Sequence, residues 1–176
     1  MDTVLGSGLI IEVPDAEPAV GEPRSRLDGN ARLGIPAHIT VLFPFMPPAY
    51  VDDAVLHRLA GIFAAVSAFE HRLVRTSWFD EDVLWLAPED VAPFRSLTES
   101  VHREFPDYPP FGGRYEDVVP HLTIADRCPL EQMLSSSILS RNIYRSAAWR
   151  EGVLGGPTRC LRRMDSRCLS HWAISP

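Results

Sequence analysis

Two short segments of the 176-residue chain set a histidine and a threonine two residues apart, each followed by an apolar residue. The first is His38-Ile39-Thr40-Val41, inside IPAHITVLFPF (35–45); the second is His121-Leu122-Thr123-Ile124, inside VVPHLTIADR (118–127). Their apolar, β-branched surroundings read as strands, and in a strand residues i and i+2 share a face. Each segment therefore backs onto a core and presents an imidazole beside a hydroxyl. Imidazole titrates near neutrality, so one ring can hold a proton while its twin is neutral. Hydroxyls can donate to oxygens on which charge develops. In-line displacement at phosphorus calls for that set: a base on the attacking oxygen, an acid on the leaving oxygen, and donors to the non-bridging oxygens. No metal is needed for it. A single His-apolar-Thr-apolar match arises by chance in on the order of a few per cent of chains this long, two in well under 1%. The pair carries the signal, not either member.

The loop YPPFGGRYED (108–117) precedes the second segment, where Arg114 is placed to meet phosphate and Tyr115 to stack on a base. A metal centre on His38 and His121 would draw further ligands from Asp126 or Glu116. No HxH, HxxxH or HExxH spacing supports one, so neither a metal nor any other cofactor is expected. His57 and His102 fall off the apolar stripes of their helices and are expected in solvent. His71 reads as a strand residue, and His171 sits in the tail. The four tryptophans (78, 85, 149, 172) read as packing residues.

The elements that must position these groups follow from periodicity and breakers. Gly8–Pro14 is a first strand. Asp15–Asp28 is a helix opened by Asp15 and kinked or interrupted by Pro23. Ala37–Phe45 is a strand stopped by the prolines at 44, 47 and 48. A helix capped by Asp52 or Asp53 turns Val55, Leu59, Ile62, Phe63 and Val66 to one face. Residues 69–79 and 83–88 are strands joined by the acidic turn 80–82, and a helix follows from Asp90 to Glu104 with Phe94, Leu97 and Val101 inward. After the loop 106–113 comes the second motif strand, then a helix over Leu130–Asn142; from about 143 the pattern becomes atypical, with weak strands. The strand–helix–strand–strand order occurs twice. The expectation is one α+β domain over 1–176, bilobal, with two antiparallel-rich sheets, flanking helices and a pseudo-twofold duplication around a central cleft.

Composition bounds the partners. All 17 basic residues are arginine, against 23 acids, for a net charge of −6. Residues 1–140 hold 10 arginines and 21 acids, and 141–176 hold 7 arginines and 2 acids. An acidic body disfavours a long polyanion, while a small phosphorylated ligand can still enter a local site. Three scattered cysteines (128, 160, 168) without a CxxC suit a reducing, cytoplasmic setting. No leader or membrane-length apolar run is evident. A monomer without a membrane partner is expected.

The motifs HITV and HLTI, 83 residues apart, with PAHITVLFPF, LWLAPE and VVPHLTIA around them, resemble the two-histidine phosphoesterase superfamily, in particular its 2′-5′ RNA ligase-like branch. The resemblance runs from about Gly8 to Asp126. It implies a bilobal α+β fold and metal-independent cleavage or formation of a phosphodiester involving a ribose 2′ oxygen, often a 2′,3′-cyclic phosphate or a 2′-5′ linkage. It maps the catalytic pair onto His38 and His121 and the hydroxyls onto Thr40 and Thr123. The arginine that such proteins commonly place soon after the second motif has its counterpart in Arg127, behind Ala125 and Asp126. The expected function is a cyclic phosphodiesterase or 2′-5′ RNA ligase-like hydrolase in RNA processing, working on a small nucleotide or RNA end. The alternative is a binding module for such ends that has kept the site and lost turnover.

Overall fold

The computed structural model describes residues 7–127 together with the backbone of 161–163. β1 (Ser7–Glu12) is apolar through Leu9, Ile10 and Ile11 and buried along nearly its whole length. It pairs antiparallel with β2 (His38–Phe45) on one side and β6 (Leu161–Arg163) on the other, giving the order β2-β1-β6. The ladder is regular over Glu12–His38, Ile11–Ile39 and Ile10–Thr40. His38 and Thr40 therefore emerge on one face, while Ile39 is fully buried on the other.

β3 (Leu73–Phe79), β4 (Val83–Pro88) and β5 (Leu122–Asp126) form a second antiparallel sheet in the order β3-β4-β5. His121 stands one residue ahead of β5 in the same run, with Leu122 and Ile124 buried behind it. Among the described residues each motif thus lies on a strand at the end of its sheet, and β2 packs against β5. The fold is α+β.

Helices fix these sheets to each other. α1 (Glu17–Leu27) packs against β5, and its last residue leads to Asp28, whose carboxylate caps the one-turn α2 (Gly29–Arg32) at Asn30 N–H (2.9 Å). α3 (Asp53–Ala65) is capped by Asp52 Oδ1 on Val55 N–H at 2.9 Å. Its Leu59 and Phe63 are buried and its Val55, Ile62 and Val66 pack at the core's edge, as the periodicity indicates. α4 (Ala92–Glu104) buries Phe94, Leu97, Thr98 and Val101. Thr98 Oγ1 donates to the Val41 carbonyl (2.8 Å), stitching α4 to β2.

Several boundaries differ from the sequence expectation. Asp15 does not open a helix; it lies in a 3-10 turn (Pro14–Ala16), and α1 begins at Glu17 without a side-chain cap. Pro23 lies inside α1, which continues to Leu27. β2 ends at Phe45 as expected, with Pro44 inside it. β2 carries extra residues at two register shifts against β1 and, among the described residues, is an edge strand, so a missing N–H breaks no interior ladder. The strand expected from Phe69 starts only at Leu73; His71 precedes it, buried against Phe69 and Phe94. His102 is half-buried with Nδ1 shielded from solvent, contrary to the expected exposure, whereas His57 is exposed. The helix expected over 130–142, the three cysteines, Trp149, Trp172 and His171 lie outside the described residues. No helix among the described residues is long and apolar enough to cross a membrane.

Candidate active site

Both motif histidines are held by the same device. His38 Nδ1 lies 2.7 Å from the Pro36 carbonyl, and His121 Nδ1 lies 2.6 Å from the Val119 carbonyl. A carbonyl only accepts, so each Nδ1 carries the proton and donates it. The lone pair of the neutral ring is then on Nε2 in both. Neither Nε2 has a hydrogen-bond partner among the described residues, nor does the hydroxyl of Thr40 or Thr123. The fold therefore fixes two rings in one tautomer, and the described residues leave both Nε2 atoms unengaged.

The surroundings of the two rings differ. His38 is buried at 7% exposure, on the β1–β2 ladder beside Glu12. His121 is walled by aromatics: Phe79 meets it edge to face at 4.8 Å between ring centres, and Trp85 lies at 5.6 Å. Phe79 and Trp85 stack on each other at 4.7 Å. The wall forms because Trp85 pairs with Thr123 across β4–β5, on the face that also carries His121.

Burial lowers the pKa of both histidines, because a desolvated imidazolium is disfavoured. For His121 the pKa falls from 6.5 to about 4, with the Val119 carbonyl partly opposing the shift and charge on His38 adding to it. The strand β2 that carries His38 packs against β5, which follows His121. For His38 the Pro36 carbonyl, Asp28 and Glu12 favour the charged form, and Arg24 opposes it. Charge on His38 thus disfavours a proton on His121 at the same time.

A family model of the 2′-5′ RNA ligase superfamily matches residues 12–142, which include both motifs and the strands that carry them. The chain belongs to the 2′-5′ RNA ligase superfamily. Among curated proteins, none matches the chain significantly. Membership agrees with a two-histidine phosphoesterase type of site on an α+β scaffold, and the superfamily is generally enzymatic.

Within this superfamily site the other expected residues fare unequally. Thr40 and Thr123 are half-buried and share faces with His38 and His121. Tyr115 is half exposed, edge-on to Phe111 (5.8 Å), and Arg114 is exposed beside it. Their loop packs against β2 through the turn Pro110–Gly113, and Arg95 ties its far end by binding Asp117 and the Val118 carbonyl. Phe111 adopts a left-handed φ of 53°, which favours glycine, so this loop holds a constrained shape. Arg127 is not brought to His121. It stands past the far end of β5, a strand length of roughly 20 Å away, bonded through its N–H to the Asp82 carbonyl and with its guanidinium towards Asp126. Asp126 is at that end too, and among the described residues no group of three or more histidine, cysteine or acidic side chains is placed to hold a metal.

Sequence reasoning missed three residues of α1 and its end. Arg24, only 2% exposed, bonds Asp28 Oδ2 through Nε (3.1 Å) and Nη2 (2.8 Å), the Thr123 carbonyl through Nε (3.1 Å) and the Ile35 carbonyl through Nη2 (3.3 Å). One guanidinium thus joins the second motif strand to the segment entering the first. Glu17 pairs with Arg24 Nη1 (3.6 Å) and accepts the Ala37 N–H. A buried arginine four residues before a buried aspartate is a weak local signal, and nothing in the sequence points to Thr123. Phe79 was also missed, and Trp85, read as packing only, packs against His121 itself.

Proposed function

We propose that the protein is a metal-independent phosphodiesterase acting on a 2′,3′-cyclic phosphate or 2′-5′ phosphodiester of a small nucleotide or RNA end, with His38 and His121 as its acid–base pair. The observation that carries this reading is the matched tethering of the two rings: both Nδ1–H groups are spent on backbone carbonyls, and both Nε2 atoms are left to exchange protons. The neutral ring takes a proton at Nε2 from the attacking water or ribose hydroxyl. The charged ring gives its Nε2 proton to the leaving ribose oxygen as the P–O bond breaks, so the pair exchanges states in each turnover. Thr40 and Thr123 donate to the non-bridging oxygens. In the free protein burial keeps both rings neutral near pH 7; the negative charge of an arriving phosphodiester favours uptake of the one proton that catalysis needs. Arg114 and Tyr115 supply further ligand contacts in this reading, and the acidic body favours short substrates over long nucleic acid. A cytoplasmic monomer fits the same reading.

The test is a panel of 2′,3′-cyclic nucleotides and 2′-5′ dinucleotides incubated with the protein in EDTA. Turnover that falls by about 10²–10⁴-fold in His38→Ala and in His121→Ala is the expected result. Binding without product at any enzyme concentration would favour the binding module, and turnover unchanged by both substitutions would reject the catalytic roles.

A further inference from the structure

We propose that Glu17 is a positioning residue for His38, acting through the peptide bond between Pro36 and Ala37. The proposal deepens the reading of His38 as an acid–base group and rests on it. That peptide unit has two polar ends. Its carbonyl, on Pro36, accepts the His38 Nδ1–H at 2.7 Å, and its N–H, on Ala37, donates to Glu17 Oε1. The two ends of an amide are conjugated, so a carboxylate on the N–H enriches the carbonyl oxygen and strengthens its hold on the imidazole. Carboxylate, amide and imidazole form one line of hydrogen bonds.

Two further features show that the carboxylate is held in place. Arg24 Nη1 pairs with it at 3.6 Å, while Arg24 itself is anchored on Asp28, Thr123 and Ile35. The second is Gly21, one helical turn after Glu17. A Cβ added at Gly21 would sit 2.8 Å from Glu17 Oε2. Glycine is a poor residue for a helix interior, and here the space it leaves is filled by the carboxylate.

The device is one-sided. The carbonyl that holds His121 belongs to Val119, and the next residue is Pro120, whose nitrogen has no hydrogen to offer a carboxylate. Glu17 therefore favours a proton on His38 over one on His121. The charged groups around His38 are Arg24, which opposes its protonation, and Asp28 and Glu12, which assist it; His121 is lowered by charge on His38.

The test reads the imidazole Nδ1–H protons by NMR in the free protein, without substrate, so it stands or falls apart from the phosphodiesterase reading. Glu17→Gln weakens the relay, and Gly21→Ala displaces the carboxylate while improving helix propensity. In both, exchange of the His38 Nδ1–H is expected to quicken by about five- to tenfold, with His121 unchanged. If Glu17→Gln does not fold, Gly21→Ala decides alone. No acceleration at His38, or equal acceleration at both rings, would overturn the proposal.

Discussion

Replacing Arg24 by methionine removes a cation that joins α1, β5 and the entry to β2, and the cost can be worked out from its partners. Asp28 is fully buried, and its Oδ2 receives two bonds from Arg24. Stranding such a carboxylate costs about 3–5 kcal/mol. The Thr123 and Ile35 carbonyls also lose a donor, adding about 1 kcal/mol between them after relaxation. A loss of about 4–6 kcal/mol is expected, out of a total of about 5–15 kcal/mol for a protein domain. Urea unfolding at pH 7 measures it: with a slope of about 2 kcal/mol per molar, the midpoint should drop by about 2–3 M. The double variant Arg24→Met/Asp28→Asn keeps an acceptor for the Asn30 N–H and removes the stranded charge. It should recover about 2–3 kcal/mol of the single variant's loss. A single variant that loses less than about 1.5 kcal/mol, or a double variant no more stable than the single, would refute the view of Arg24 as a charge-balanced strut between the motifs.

Three other outcomes follow from the same structure. Stability should fall as pH drops from 6.5 towards 4, because the unfolded chain binds a proton on His121 that the folded protein refuses until about 4; the loss from this ring is at most about 3 kcal/mol and should be absent in His121→Gln, as read by unfolding at stepped pH. Phe79→Ala opens the wall beside His121, so the ring's NMR titration midpoint should climb from about 4 towards 6.5. Asp52→Ala removes the cap on Val55 N–H and should cost about 1 kcal/mol by urea unfolding without altering either histidine's titration.

The parts of the site that were legible in the sequence are those governed by period. Alternation in HITV and HLTI put each histidine and its threonine on one strand face, and the β1–β2 ladder bears this out over residues 38–40. The faces of α3 and α4 were equally plain from apolar spacing. What joins the motifs was not legible. Arg24 meets Thr123 across 99 residues through the packing of α1 on β5, and Glu17 reaches Ala37 across 20. Pro44 lies inside β2 for a physical reason. The rule against proline in strands assumes an interior hydrogen bond to lose, and among the described residues β2 is an edge strand. Arg127 was expected near the site from the resemblance alone, and an extended strand carries it away from His121 at about 3.3 Å per residue.

A crystal structure of the protein with a nucleoside vanadate, which mimics phosphorus in mid-displacement, tests the central claim most directly. Nε2 of His38 and Nε2 of His121 should each lie about 2.6–3.2 Å from an oxygen on opposite sides of the one vanadium, with Thr40 and Thr123 hydroxyls on the remaining oxygens. A vanadate held by one imidazole alone, with the other ring facing away, would contradict the account.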